Sequence, residues 1–338
     1  MVTQEELLQN GIKPWNLIQP RYKNPDLLLG NGFSLQFSTN FSYGSLFDIF
    51  LNNCDETHKT LFSQFGTTNF ELIQKYLTYA RIVNSILGLP THSIDSAIDQ
   101  LKNGLIQTIE LVHPRVQDID FNQLNNIALQ LADFGDIFTT NYDLYLYHII
   151  MKSKDISVTK KGFVPYQDYF WGTEAPKGFK QFMSYQGYNY KNIYYLHGSL
   201  FIFREALMDI KLLKENETTE LITKISEQIR ENKFPTFVSE GSGADKINSI
   251  NESNYLFFCL SKLKQSKNTI IIFGNMLGDF DSHILKSLKI IPKDIVYCIY
   301  TGHRTIAELN AERYNFLSKF NDYPKQIEFV DSKTVFQL

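Results

Sequence analysis

Asp26-Leu27-Leu28-Leu29-Gly30-Asn31-Gly32-Phe33-Ser34 is the stretch on which the reading of this chain turns. Consecutive leucines with no polar alternation suit a strand buried on both faces, the pattern of a parallel sheet. Gly30 ends the run. Glycines after a buried strand let backbone amides come close to a phosphate, and a following helix end adds its dipole. The stretch alone also fits a tight strand-to-helix turn with no ligand. A dinucleotide fingerprint has its third glycine where this chain has Leu35.

Working outward, Glu5–Ile12 reads as a short helix, and Pro14, Pro20 and Pro25 break the chain into irregular structure before the leucines. Beyond the glycines, apolar residues recur at helical spacing from Leu72 through Tyr76, Leu77, Ala80 and Val83 to Leu87, where Gly88 and Pro90 stop the helix. Ile94, Ile98, Leu101, Leu105 and Ile109 form a second stripe closed by Pro114, and Asn122–Phe134 reads as a third helix. Strands are expected at Asp136–Thr139, Ile193–Leu196, Thr236–Val238, Thr269–Phe273, Ile295–Tyr300 and Gln326–Val330. Helical patterns lie between most of them, at Leu144–Met151, Leu207–Glu231, Ser253–Gln265, His283–Leu288 and Thr305–Phe320. This alternation predicts an α/β fold: a Rossmann-like parallel sheet with helices on both faces. Residues 1–42 and 132–338 would form that domain, and 43–131 an inserted helical subdomain. Ser239–Asn254, rich in Ser, Gly and Asn, reads as a long loop.

The 338 residues are 43% hydrophobic and 20% charged, enough for a core that needs no staples. A net charge of -3 gives no basic surface for nucleic acid or anionic membrane. Cys54, Cys259 and Cys298 are scattered and form no CxxC pair, so no structural zinc or other metal is expected. The first residues lack the basic and apolar regions of a signal peptide, and Tyr255–Leu260 is far too short an apolar run to span a bilayer. A soluble cytoplasmic protein is the expectation. The abundant Tyr (19) and Phe (27) read as core packing.

Three further motifs stand at the carboxyl ends of expected strands, where open parallel sheets bind ligands. Thr139-Thr140-Asn141-Tyr142-Asp143 offers an amide and a carboxylate, although Asp143 is also well placed to cap the next helix. His197-Gly198 puts an imidazole at a strand end, suited to base chemistry or simply buried and satisfied. Gly274-Asn275-Met276-Leu277-Gly278-Asp279-Phe280-Asp281-Ser282-His283 repeats the strand-to-Gly-Asn logic, with an aspartate placed to cap a helix beginning near His283.

In this order, the four motifs resemble the nicotinamide-dinucleotide site of sirtuins, in the version found in bacterial sirtuin-like NADases of anti-phage defence. The resemblance is confined to these short segments, spread over nearly the whole chain. It implies a Rossmann-like NAD-binding domain in which Asn141 holds the nicotinamide ribose and the attacking water. It also implies that His197 is the catalytic base and that Asp143 contacts the nicotinamide amide. Gly30, Asn31, Gly32, Phe33, Ser34, Thr140, Gly274, Asn275 and Met276 complete the binding set, with amides of 30–34 on the pyrophosphate. The chain departs from the family in three ways, one of them Thr140-Asn141-Tyr142-Asp143 where the family has Gln-Asn-Ile-Asp, which keeps the asparagine and the aspartate. It cannot build the four-cysteine zinc module of the deacylating members, which favours plain NAD hydrolysis over deacylation. It also has Gly-Asn-Met where the family has a Gly-Thr-Ser type loop. The expected activity is cleavage of NAD to nicotinamide and ADP-ribose. The rival expectations are an NAD- or ADP-ribose-binding subunit without turnover, and a zinc-free deacylase. An NADase must be restrained in its own cell, so a homo-oligomer, a regulatory partner or the helical block acting as a lid is expected. Asp331, near a late strand, is a further candidate contact for the adenosine ribose.

Overall fold

The computed structural model describes residues 2–42, 46–113, 119–185, 187, 189–214, 220–238, 243–292, 294–323 and 325–337. Among these residues the chain forms two sheets. Its strands are β1 (Ile12–Lys13), β2 (Asp26–Leu29), β3 (Ile137–Thr139), β4 (Tyr166–Gln167), β5 (Phe170–Gly172), β6 (Phe179–Phe182) and β7 (Lys191–Tyr195). They continue as β8 (Gly198–Glu205), β9 (Met208–Leu212), β10 (Pro235–Phe237), β11 (Ile270–Phe273), β12 (Ile295–Ile299) and β13 (Ile327–Asp331).

The larger sheet has the order β1-β13-β12-β11-β2-β3-β7-β4, and every neighbouring pair in it is parallel. Helices flank it, so the fold is the expected Rossmann-like α/β architecture. The central strands β2, β3, β11 and β12 are buried along their whole length, which is why they read as apolar runs, broken only by Asp26 and Thr139 at strand ends, rather than as alternating ones. From β2 the chain proceeds to β3 and β7 on one side, and from β11 to β12 and β13 on the other. The direction of winding therefore reverses between β2 and β11, the kind of position where sheets of this type bind ligands. The register Ile270↔Asp26 through Phe273↔Leu29 sets Gly30 and Gly274 side by side just beyond the two strand ends.

The helices are α1 (Gln4–Gln9), α2 (Trp15–Ile18), α3 (Asn31–Ser34), α4 (Leu46–Asn53), α5 (Glu56–Phe65), α6 (Phe70–Ile86) and α7 (His92–Val112). After them come α8 (Phe121–Gln130), α9 (Tyr145–Thr159), α10 (Leu221–Arg230), α11 (Gly243–Glu252), α12 (Asn254–Gln265), α13 (Ser282–Ile290) and α14 (Ile306–Ser318). Between α3 and β3 the described regular structure is entirely helical. A phenylalanine cluster of Phe47, Phe50, Phe62 and Phe70 packs edge to face there. Pro114, the expected stop of the second stripe, lies outside the described residues. None of the described helices is long and apolar enough to cross a membrane.

The smaller sheet corrects the reading of the middle of the chain. It is antiparallel, ordered β10-β8-β9-β6-β5, and includes the expected strand near Thr236, which therefore belongs to this sheet and not to the parallel one. Leu207–Glu231 is not one helix, because β9 occupies its first part and α10 its last. The described part of Ser239–Asn254 is helical as α11, whose Ile250 is fully buried.

Candidate functional site

The two glycine loops meet backbone to backbone. Gly32 N–H donates to Gly274 O at 2.9 Å, and Gly30 N–H donates to Phe273 O at 2.9 Å. A Cβ on Gly32 would stand 2.6 Å from Gly274 Cα, and one on Gly274 would stand 2.6 Å from Gly32 Cα. Gly274 also has a φ of +69°, in the left-handed region that glycine tolerates best. The glycines are thus needed for the approach of one loop to the other. With Phe33 N–H donating to Gly30 O at 2.9 Å, the amides of Gly30, Gly32 and Phe33 all have protein acceptors. That removes three of the amides expected to cradle a pyrophosphate. Phe33 itself is core, edge-on to Phe37, Phe273 and Phe336.

The residues after β3 lock onto these loops. Asn141 Nδ2 donates to Gly30 O at 3.0 Å and to Ser34 Oγ at 2.9 Å. Ser34 Oγ in turn donates to Asp143 Oδ2 at 2.5 Å, and Asp143 Oδ1 accepts from Tyr145 N–H at 2.8 Å, near the start of α9. This chain of contacts fixes the Asn141 amide: a backbone carbonyl can only accept, so the atom facing Gly30 O must be the nitrogen. Asn141 Oδ1 has no hydrogen-bond partner among the described residues. It is the open acceptor of the network. Asp143 is buried with both oxygens engaged. Burial pushes its carboxyl above the ordinary range, against the pull of Ser34 and the Tyr145 amide. Its place is that of a support holding Ser34 and the first turn of α9.

Thr140 and Asn275 tie the edge together, Asn275 Nδ2 donating to Thr140 Oγ1 at 3.0 Å while its Oδ1 accepts from Leu277 N–H at 2.8 Å. Asn31 Nδ2 donates to Phe41 O at 3.0 Å. Met276 is 69% exposed. Two cavities open on this edge. One of about 460 Å³ is lined by Thr140, Asn275, Met276, Asp281 and Arg304 among others. The other, about 680 Å³, has Phe273, Tyr300 and Phe336 in its walls, and the two share Gly32, Leu35, Gly274, Cys298 and Tyr300. Asn141 and His197 line neither of these two. Asp331 is turned elsewhere: Oδ1 accepts from Thr301 Oγ1 at 2.9 Å and from Lys333 N–H at 3.1 Å, and the residue borders a separate cavity with Val2 and Pro14.

His197 stands apart from the Asn141 network, between β7 and β8. Leu196 N–H continues the ladder to Thr139 O at 2.8 Å, and His197 O accepts from Val238 N–H at 2.8 Å. Gly198, φ +72°, lets the Thr236 carbonyl pass where a Cβ would be only 2.1 Å away. The imidazole is buried, its Nε2 2.9 Å from Nε2 of His283 and 3.9 Å from Asp281 Oδ1, an oxygen that also accepts from Lys246 Nζ at 3.0 Å. Burial holds His197 down at about 3 and His283 at about 4, with Lys246 adding to both and Asp281 opposing. Burial alone would raise Asp281, but His197, Lys246 and His283 outweigh it and keep the carboxyl below its usual value. With both imidazoles neutral near pH 7, Lys246 is the lasting cation on Asp281.

His283, Asp281 and Lys246 join the site although sequence reasoning does not select them. Asp281 stands at the expected N-cap position of α13, but its side chain makes no cap bond there. The Asp-x-His spacing beside a glycine turn is the signal that could have found two of them. His197, Asp281 and His283 offer ligand atoms within 4.8 Å of one another, a composition a divalent ion could use. The 2.9 Å between the nitrogens is shorter than the roughly 3.3 Å kept by two nitrogens on one tetrahedral zinc. The Lys246 ammonium already supplies the positive charge beside Asp281. This geometry is that of two imidazoles sharing a proton.

The fold and this edge define an α/β protein with a polar side-chain network and two joined cavities at the switch point of a parallel sheet. A family model described as a domain of unknown function (DUF4917) matches residues 27–336, and the chain belongs to that family. No curated protein matches it.

Proposed function

We propose that this chain binds NAD at the β2–β11 edge and hydrolyses its N-glycosidic bond, releasing nicotinamide and ADP-ribose. The observation that carries the reading is the oriented amide of Asn141, whose nitrogen is spent on Gly30 O and Ser34 Oγ while its oxygen is left as an open acceptor. An acceptor fixed at a strand end can hold a ribose hydroxyl or a water molecule in one direction, and positioning of this kind is a large part of catalysis. The bond to break joins the ribose C1′ to a cationic pyridinium nitrogen. Its electron pair returns to the ring, so nicotinamide leaves neutral and needs no acid. The sugar passes through an oxocarbenium-like state, as in glycoside hydrolysis. Water adds its oxygen to C1′ and loses a proton, which His197 accepts, a contribution of about 10²–10⁴-fold for a positioned base.

The two joined cavities support the rest of the placement. The larger, with Tyr300 and Phe336, suits the adenine, and the smaller, with Thr140 and Arg304, suits the ribose and phosphates. The resemblance to defence NADases extends the proposal to regulated depletion of NAD, held in check by a partner or by self-association. A site loop reaches the helical block, Tyr142 Oη accepting from Leu46 N–H at 3.1 Å, which suits the block as a lid.

The test is nicotinamide release from NAD by the full chain and by Asn141→Ala and His197→Ala. Both variants are expected to stay folded and lose turnover. Full turnover in both would overturn the assignment.

A further inference from the structure

His197 and His283 come from distant parts of the chain, one between β7 and β8 and the other at the second residue of α13, yet their Nε2 atoms meet at hydrogen-bond distance, 2.9 Å. One of the two nitrogens must carry a hydrogen and the other a lone pair. Among the described residues neither outer nitrogen has a hydrogen-bond partner, and His283 Nδ1 is a fully buried atom. A buried polar atom without a partner calls for a functional or structural reason. The groups around the pair are Asp281 and, as cations, Lys246 from α11 and Lys264 from α12.

We propose that the base of this site is the histidine pair, with His283 receiving the proton that His197 takes from the attacking water. This rests on the NAD-hydrolysis reading. In the resting pair, His197 holds its hydrogen on Nε2 and donates it to His283 Nε2, leaving His197 Nδ1 free to accept. His283 then holds its own hydrogen on Nδ1, and the stranded Nδ1 is the cost of keeping its Nε2 an acceptor. When water adds to C1′, its proton goes to His197 Nδ1, and the Nε2 hydrogen crosses to His283. Both imidazoles start neutral, one proton is gained, and the charge ends beside the Asp281 carboxylate. His283 is a positioning residue in this scheme, because it acts through His197.

The test uses the full chain labelled with ¹⁵N-histidine, together with His283→Gln, whose amide oxygen can still accept the His197 hydrogen but cannot take up a proton. Long-range ¹H–¹⁵N correlation reads the tautomers without any turnover. The expected result is Nε2–H on His197 and Nδ1–H on His283. His283→Gln is expected to lower kcat by about 10- to 100-fold with KM nearly unchanged, and to alter the acid limb of the pH profile. The opposite tautomers, a variant with the parent's kcat and pH profile, or a stoichiometric divalent ion lost on His283→Gln would each overturn the proposal. If the parent chain releases no nicotinamide, the NAD reading fails by itself, and the tautomers still decide the pair.

Discussion

Ser34→Ala removes one hydroxyl and so tests the network beneath the site. Ser34 is fully buried, donates to Asp143 at 2.5 Å and accepts from Asn141 at 2.9 Å. Alanine would leave a buried carboxylate oxygen without its donor and an amide hydrogen without its acceptor. Each stranded group costs about 1–3 kcal/mol, so the loss is about 2–6 kcal/mol. The effect has a pH signature. Asp143 already titrates above its unfolded value because it is buried, and loss of the Ser34 donor raises it further. A group raised on folding takes up protons more readily folded than unfolded, so stability falls as pH rises through its folded pKa. The deficit of the variant is therefore largest at neutral and alkaline pH and narrows on acidification. Urea melts of parent and variant, followed by the fluorescence of Trp15 and Trp171, measure it across pH. The buried histidines are common to both proteins and cancel in the difference. No deficit at pH 8, or one that widens on acidification, would contradict a buried, ionised Asp143 held by Ser34. Asn141 also loses one of its two anchors, so nicotinamide release falls along with stability.

Gly274→Ala places a Cβ 2.6–2.7 Å from backbone atoms of Gly32 and Phe33 at a left-handed φ. The conformation alone costs about 1–2 kcal/mol, and the loops must also part. Thermal melts and NAD titration should both show a loss, while Gly278→Ala, with nothing within 4 Å of its Cβ, stays near the parent; equal melting of the two variants would contradict the loop contact. His113 is held at about 4 by burial, against about 6.5 unfolded. A depressed histidine gives stability that is present above the unfolded value and lost as pH falls toward the folded one. Between pH 7 and 5 that share is about 2 kcal/mol, so His113→Phe should lose about that much less than the parent over the interval, and identical losses in urea melts would count against it.

The parallel sheet was legible because β2 and β11 are apolar runs closed by Gly-Asn, and strands buried on both faces demand that composition. The antiparallel sheet was not. Its β8–β9 turn passes through Ala206 at φ +54°, a left-handed residue that is neither Gly nor Asn, so the hairpin carries no turn signature. β9 also merges with α10 into a single helix-like apolar pattern. At the site, Asn141 and His197 could be picked out because each follows a strand. What they touch could not, since Asn141 is bound by residues 107 and 111 positions away and His197 by one 86 positions away. Lys246 is hidden in a Ser- and Gly-rich stretch that reads as loop but folds as α11. The glycines suggest a phosphate cradle, but their first task is to let two loops touch.

Nicotinamide and ADP-ribose quantified after incubating the full chain with NAD, with and without extract of a stressed host, test the central claim most directly. Equimolar release of the two products is expected in at least one condition, and is lost in Asn141→Ala and His197→Ala. NAD left intact in both conditions, even if bound, would contradict it.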